Sequence, residues 1–231
     1  MPVESRERAI LVVQHEHWLR KLISNLQRLG IDNLSAFEKR IRSVIGFRGE
    51  FEDSLFEGKF PIGVRRHIDQ IQAIRFYPTG KKKGPDYELG FGQQTIFVEF
   101  TRFREDEDLF KSLQIKEDQT ELSQIPYGYE QIWNKITKKL DQLVKGEINI
   151  IVLYSAHDAR EALDFRIVVS KYLAHPANAY LLKHLSGVLF TDKWSTPPEF
   201  WVNGRAERVF PSGLIELFRT AIYDFKAVAL E

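Results

Sequence analysis

Two acidic residues stand where carboxylates could do chemistry. Asp86 follows the Gly84-Pro85 turn and opens a short stretch of strand character, Tyr87-Glu88-Leu89. Glu99 lies inside Thr95-Ile96-Phe97-Val98-Glu99-Phe100-Thr101, a run that is otherwise apolar or β-forming. If the two strands pair, the carboxylates converge at one sheet edge. Converging carboxylates suit a hard divalent cation such as Mg²⁺, which prefers oxygen ligands and keeps several waters. A cation held in that way can activate water and stabilise charge on a phosphoryl oxygen. Two plainer readings stand beside this one. Aspartate is a common turn residue, and Glu99 could meet water at the end of its strand or pair with Arg102. An acid inside a central apolar strand is nevertheless costly to bury unless it is paired or metal-bound.

The elements that must position these acids follow from periodicity. Residues 4–29 carry Leu11, Trp18, Leu22, Leu26 and Leu29 near helical spacing, and Gly30 ends the run. Ser35 and Glu38 form a capping-box signature for a second helix over 36–45, stopped by Gly46. A third helical piece covers 50–58, with Pro61 and Gly63 as punctuation. Strands are expected over 71–77, 87–91 and 95–103, and the last is apolar on both faces and therefore central. Alternation puts Glu99 and Thr101 on one face, Arg102 on the other, and Glu88 on the face of Asp86. Residues 104–121 are dense in charge, with the acidic run Glu105-Asp106-Glu107-Asp108, and read as a solvated insertion. A helix over 129–144 buries Ile132, Ile136, Leu140 and Leu143 and ends at Gly146. A strand over 148–154, a helical piece near 167–173, a strand over 185–191, a Pro-punctuated segment over 194–201 and a helix over 214–229 complete the order.

This order resembles the PD-(D/E)XK nuclease superfamily, the restriction-endonuclease-like phosphodiesterases. Pro85-Asp86 is similar to its "PD" and Glu99-Phe100-Thr101 to its "(D/E)XK", with Thr101 where the family carries lysine. The resemblance covers residues 50–191 as an order of elements, namely a helix, a three-strand meander, a crossover helix and a further strand. It implies a metal held by Asp86 and Glu99, with Mg²⁺ or Mn²⁺ as cofactor. Glu52, on the helix before the strands, or Glu88 would be an auxiliary ligand. It also implies a catalytic cation. Threonine carries no charge, but in variants of the superfamily a lysine from another element substitutes, and the following helix offers Lys135, Lys138 and Lys139. Lys135, Lys139 and Gln142 share a stripe at i, i+4 and i+7, which makes Lys139 the preferred replacement and Lys135 the second. A solvated cationic helix face is the plainer meaning of such lysines.

Composition sets the outer limits. The 231 residues hold 33 basic and 32 acidic side chains, so nucleic-acid binding must rest on local patches. Lys81-Lys82-Lys83 beside the Asp86 turn is one such patch, with Arg102 a further contributor, although three lysines in a loop also make an ordinary solvated turn. The absence of cysteine excludes disulfides, thiol nucleophiles, cysteine-ligated zinc and iron–sulfur clusters. The six histidines show no tight metal spacing, and no Walker loop, nucleophile elbow or dinucleotide fingerprint occurs. Trp194, Phe200 and Trp201 could stack bases, but packing explains them as well. The charged start of the chain and the lack of a long apolar run point to a cytoplasmic protein with no membrane partner.

The expectation is an α/β protein with a restriction-endonuclease-like core, a mixed central sheet flanked by helices, and additional N-terminal helices. Residues 1–48 form a helical segment and 49–231 the α/β domain, or the two form one continuous domain. The expected activity is metal-dependent hydrolysis of DNA, and the N-terminal helix could supply a homodimer interface. The alternative is a catalytically degenerate relative that binds nucleic acid or protein. An unrelated α/β interaction protein would instead leave Asp86 and Glu99 far apart and exposed.

Overall fold

The computed structural model describes residues 3–77, 84–103, 128–155, 160–192 and 197–227. In order these form α1 (Val3–Arg28), α2 (Leu34–Ser43), α3 (Arg48–His67), β1 (Ile71–Phe76), β2 (Tyr87–Phe91) and β3 (Gln94–Phe103). Then come α4 (Gly128–Lys139), β4 (Ile148–Ser155), α5 (Arg160–Val168), β5 (Gly187–Asp192), β6 (Glu199–Val202) and α6 (Ile215–Ala227). The protein is α/β, with a six-stranded mixed sheet in the order β1-β2-β3-β4-β5-β6. The β1, β2 and β3 strands form an antiparallel meander, with β4 and β5 parallel and β6 antiparallel to β5. Every residue of β5 is buried, as is nearly all of β4, which is the pattern of strands covered on both faces. Among the described residues, no helix is long and apolar enough to cross a membrane.

Two compact units divide the chain, residues 1–98 with 211–231, and residues 99–210. The N-terminal helices pack on α3 and β1 of their own unit. In the first unit Phe37 stacks on Phe76, with ring centroids 4.4 Å apart, and Phe60 packs against Tyr87 and Phe218. In the second, Ile132 and Ile136 of α4, Phe165 and Val168 of α5, and Ile151, Leu153, Val188 and Phe190 of the strands form one apolar cluster.

Three local expectations need correction. The second helix begins at Leu34, and Asn33 precedes it in a left-handed conformation, φ 58°, so Ser35 is not its cap. Asn33 instead donates its side-chain amide to the Phe76 carbonyl at 2.8 Å, tying the helix start to β1. The helix over 129–144 ends at Lys139 and continues to Gln142 as a tighter 3₁₀ turn.

The third correction concerns Pro61, which lies inside α3 rather than ending it. Proline has no N–H and so cannot bond the carbonyl four residues back, that of Glu57. The Tyr87 hydroxyl takes that role, donating to the Glu57 carbonyl oxygen at 2.6 Å. Burial of Phe60, Ile62, Val64 and Ile68 holds the helix together past the break. Tyr87→Phe should therefore strand a buried carbonyl and cost about 1–3 kcal/mol of stability. In a Pro61→Ala background, where a backbone donor returns, the same change should cost less. Urea denaturation of the four proteins in this cycle measures the difference, and equal costs would contradict the assignment.

Candidate functional site

Within the first unit, β2 begins directly after Asp86, a residue only 8% exposed. Its carboxylate belongs to a cluster drawn from α2, α3 and the end of β1. Arg40 of α2 donates through Nη1 to Asp86 Oδ1 at 3.2 Å, to Glu57 Oε1 at 3.0 Å and to the Tyr77 hydroxyl at 2.7 Å. Tyr77 in turn donates its hydroxyl to Glu57 Oε1 at 2.9 Å, and its backbone N–H to the Asp86 carbonyl at 2.9 Å. Tyr77 also adopts φ 46°, a left-handed conformation that is rare and strained for a bulky residue. Such strain persists only where neighbours over-determine the backbone, and it concentrates at functional sites. Bonds at both ends of Tyr77 supply that constraint.

Charge in this cluster is compensated internally. Burial works against the Arg40 guanidinium, but Glu57, Tyr77 and Asp86 outweigh it and raise its pKa. Burial and the adjacent Glu57 carboxylate raise the Tyr77 phenol well beyond its usual range. Tyr87 is raised by the same two causes.

Within the second unit, Glu99 is 2% exposed on β3. Lys139, the last residue of α4, places Nζ 2.5 Å from Glu99 Oε1. A cation at a helix C-terminus is also favoured by the helix dipole. Gln142, with its amide nitrogen turned toward the same carboxylate as the hydrogen-bond pattern requires, donates to Oε1 at 2.8 Å and Oε2 at 3.2 Å. The 3₁₀ turn after Lys139 thus brings two side chains of the predicted stripe to one acid. Thr101, two residues along β3, is buried as well.

The remaining predicted residues fall elsewhere. Lys135 lies one turn before Lys139 and is half-buried. Glu88 pairs with Arg75 at 3.6 Å across the β1–β2 ladder, a largely solvated ion pair of small energetic weight. Arg102 is half-buried, with its guanidinium 6.0 Å from the centre of the Tyr154 ring. Glu52 is half-buried on α3, about 140° around the helix from Glu57. It is Glu57, not Glu52, that shares Arg40 with Asp86. Lys81, Lys82 and Lys83 lie outside the described residues, as does the acidic run 105–108.

Arg40, Glu57 and Tyr77 had no place in the sequence reading. One signal did exist. Glu57 occupies the apolar stripe of α3, three residues after Ser54, three before Phe60 and seven before Val64, all buried. It is the same anomaly, an acid at a core position, that singles out Glu99.

Among the described residues, no group of three or more His, Asp or Glu gathers as a metal cage. A Mg²⁺-type ion does not need one, since one or two carboxylates complete its shell with water and substrate oxygens. The donors at hand are buried hard carboxylate oxygens, each already facing a cation, and they fit such an ion. No family model matches the chain, nor does any curated protein or solved structure.

Two outcomes follow. Lys139→Met leaves a buried carboxylate without its cation and should lower stability by about 3 kcal/mol at neutral pH. Adding Glu99→Gln should restore at least half of that loss in urea denaturation, because no charge is then stranded. At the alkaline end, Tyr77 and Tyr87 are held protonated beyond the ordinary tyrosine range. Their contribution to stability is fully present below about pH 10, the unfolded value, and is lost as pH rises toward the folded values. Stability should therefore fall above that pH, and their phenolate absorbance should appear only together with unfolding.

Proposed function

We propose that this protein is a Mg²⁺- or Mn²⁺-dependent phosphodiesterase of restriction-endonuclease-like type that hydrolyses DNA. Asp86 and Glu99 are its metal-binding carboxylates, and Lys139 stands in for the motif lysine missing at Thr101. The observation that carries the reading is the pair formed by Glu99 and Lys139. A nearly inaccessible carboxylate on β3 meets an ammonium from the following helix at 2.5 Å. The motif carries its acid and lysine at i, i+2 on one strand, and in this reading the lysine comes from a second element instead.

Further support comes from the order α3, β1–β2–β3, α4, β4, which is the order of elements that the resemblance implies. The β2–β3 ladder pairs Tyr87 with Val98. Asp86 directly precedes the first of these residues and Glu99 directly follows the second. A divalent ion bound by the two acids would supply a nucleophilic water and neutralise charge on the phosphoryl group. The chain's own groups do the rest. Arg40, Glu57 and Tyr77 hold Asp86 in place, while Lys139 and Gln142 orient Glu99. The Lys139 side chain, 25% exposed, would offer its ammonium to the charge that develops on the phosphoryl group.

The test is cleavage of single-stranded, double-stranded and branched DNA with Mg²⁺ or Mn²⁺. Activity should require metal, disappear in Asp86→Ala and Glu99→Ala, and fall at least 100-fold in Lys139→Ala. Metal-dependent DNA binding without cleavage would favour the catalytically degenerate relative. Equal activity in wild type and the acid variants would place the chemistry elsewhere.

A further inference from the structure

Arg40 lies on α2, outside the elements that carry the nuclease resemblance. The geometry points to Arg40 as a phosphate-positioning residue: Nη1 grips the acid cluster, and the Nη2–Nε edge binds a phosphodiester of nucleic acid. This rests on the metal-dependent reading above and adds a substrate contact to it.

A guanidinium carries five N–H donors, two on each terminal nitrogen and one on Nε. Among the described residues, every side-chain hydrogen bond of Arg40 runs through Nη1, to Glu57, Tyr77 and Asp86. The other edge retains three donors. The Arg40 side chain is 48% exposed, while the Glu57 and Asp86 side chains it holds are 7% and 12% exposed. The guanidinium carbon lies 5.2 Å from the centre of the Tyr77 ring, which further fixes its plane. The result is a pre-oriented fork, anchored through Nη1, whose other three donors are taken by no side chain or backbone group among the described residues. Such a fork matches two phosphate oxygens bidentately, and little rotamer entropy remains to be lost on binding.

The charge count says when that edge can be used. Arg40 contributes +1 and Glu57 and Asp86 −1 each, so these three groups together carry −1 at formal charge. An incoming phosphodiester would meet net repulsion. A divalent cation at Asp86 changes the sum to +1, and the same edge then attracts the anion. Phosphate binding at Arg40 should accordingly follow metal binding rather than precede it. Lysine at this position keeps the charge but lacks the second edge, so it can serve the acids or the phosphate, not both.

The experiment uses the full chain and a fluorescent duplex oligonucleotide, titrated in Ca²⁺ and in EDTA, with Arg40→Lys and Arg40→Gln beside wild type. Mn²⁺ affinity without DNA and thermal melting are measured on the same samples. Wild type should bind DNA more tightly in Ca²⁺ than in EDTA. Arg40→Lys should keep its Mn²⁺ affinity within about threefold yet lose roughly 10-fold or more of its DNA affinity in Ca²⁺. In EDTA its affinity should match wild type. In the cleavage assay the loss should appear in KM as well as kcat. If Arg40→Lys binds DNA as well as wild type in Ca²⁺, the inference is wrong while the metal-dependent reading stands. If Arg40→Lys loses Mn²⁺ binding and melts early, Arg40 is only a structural counter-ion. If wild type shows neither metal-stimulated DNA binding nor cleavage, both proposals fail together.

Discussion

Compensation of buried carboxylate charge is the constraint on which the rest of this structure depends. Glu57, Asp86 and Glu99 are each less than one-tenth exposed. Isolated, any of them would be expensive to bury in ionised form. Each has a cation within hydrogen-bonding range, Arg40 for the first two and Lys139 for the third. Ion pairs of this kind are poor sources of stability, because desolvation consumes most of the Coulomb gain. The three acids are buried while their cations reach the surface, Arg40 with its side chain 48% exposed and Lys139 with 25%, and the proposed metal-dependent reading gives this arrangement a role.

The backbone is shaped around the same acids. Pro61 removes the donor that would close the helix onto the Glu57 carbonyl, and Tyr87 replaces it from β2. Glu57 is thus bonded by a tyrosine at its main chain and by another at its side chain. Tyr77 accepts a left-handed backbone at the end of β1 to bring its hydroxyl and its N–H to bear at once. Two departures from regular geometry, a proline inside a helix and a bulky residue at positive φ, both serve to hold one carboxylate cluster. In the second unit the device is simpler. The helix α4 tightens into a 3₁₀ turn at Lys139, and this places Gln142 beside the lysine on Glu99.

Much of this was legible in the amino-acid order because it is local. The period of Leu22, Leu26 and their neighbours specifies α1, and the β-branched and aromatic run from Thr95 specifies β3. Glu99 stood out as an acid in an apolar strand, and Lys139 as the lysine at the right turn of the following helix. Arg40 and Tyr77 were not legible, because they reach Asp86 from 46 and 9 positions away through tertiary packing. Nothing local distinguishes Arg40 from Lys39 or Arg42 beside it. Glu57 was within reach by the argument used for Glu99, but Pro61 obscured it by suggesting that the helix ended nearby. The capping box at Ser35 misled for a related reason, since the start of α2 is set by Asn33, which bonds the Phe76 carbonyl at the end of β1.

The proposed reading makes Asp86 and Glu99 ligands of a divalent cation. The most direct measurement is an anomalous-scattering map from crystals of the protein grown in saturating Mn²⁺. The account predicts a single strong peak bonded to carboxylate oxygens of both Asp86 and Glu99, with Arg40 and Lys139 still beside their acids. No peak at these residues, or a peak bonded to other side chains, would contradict it.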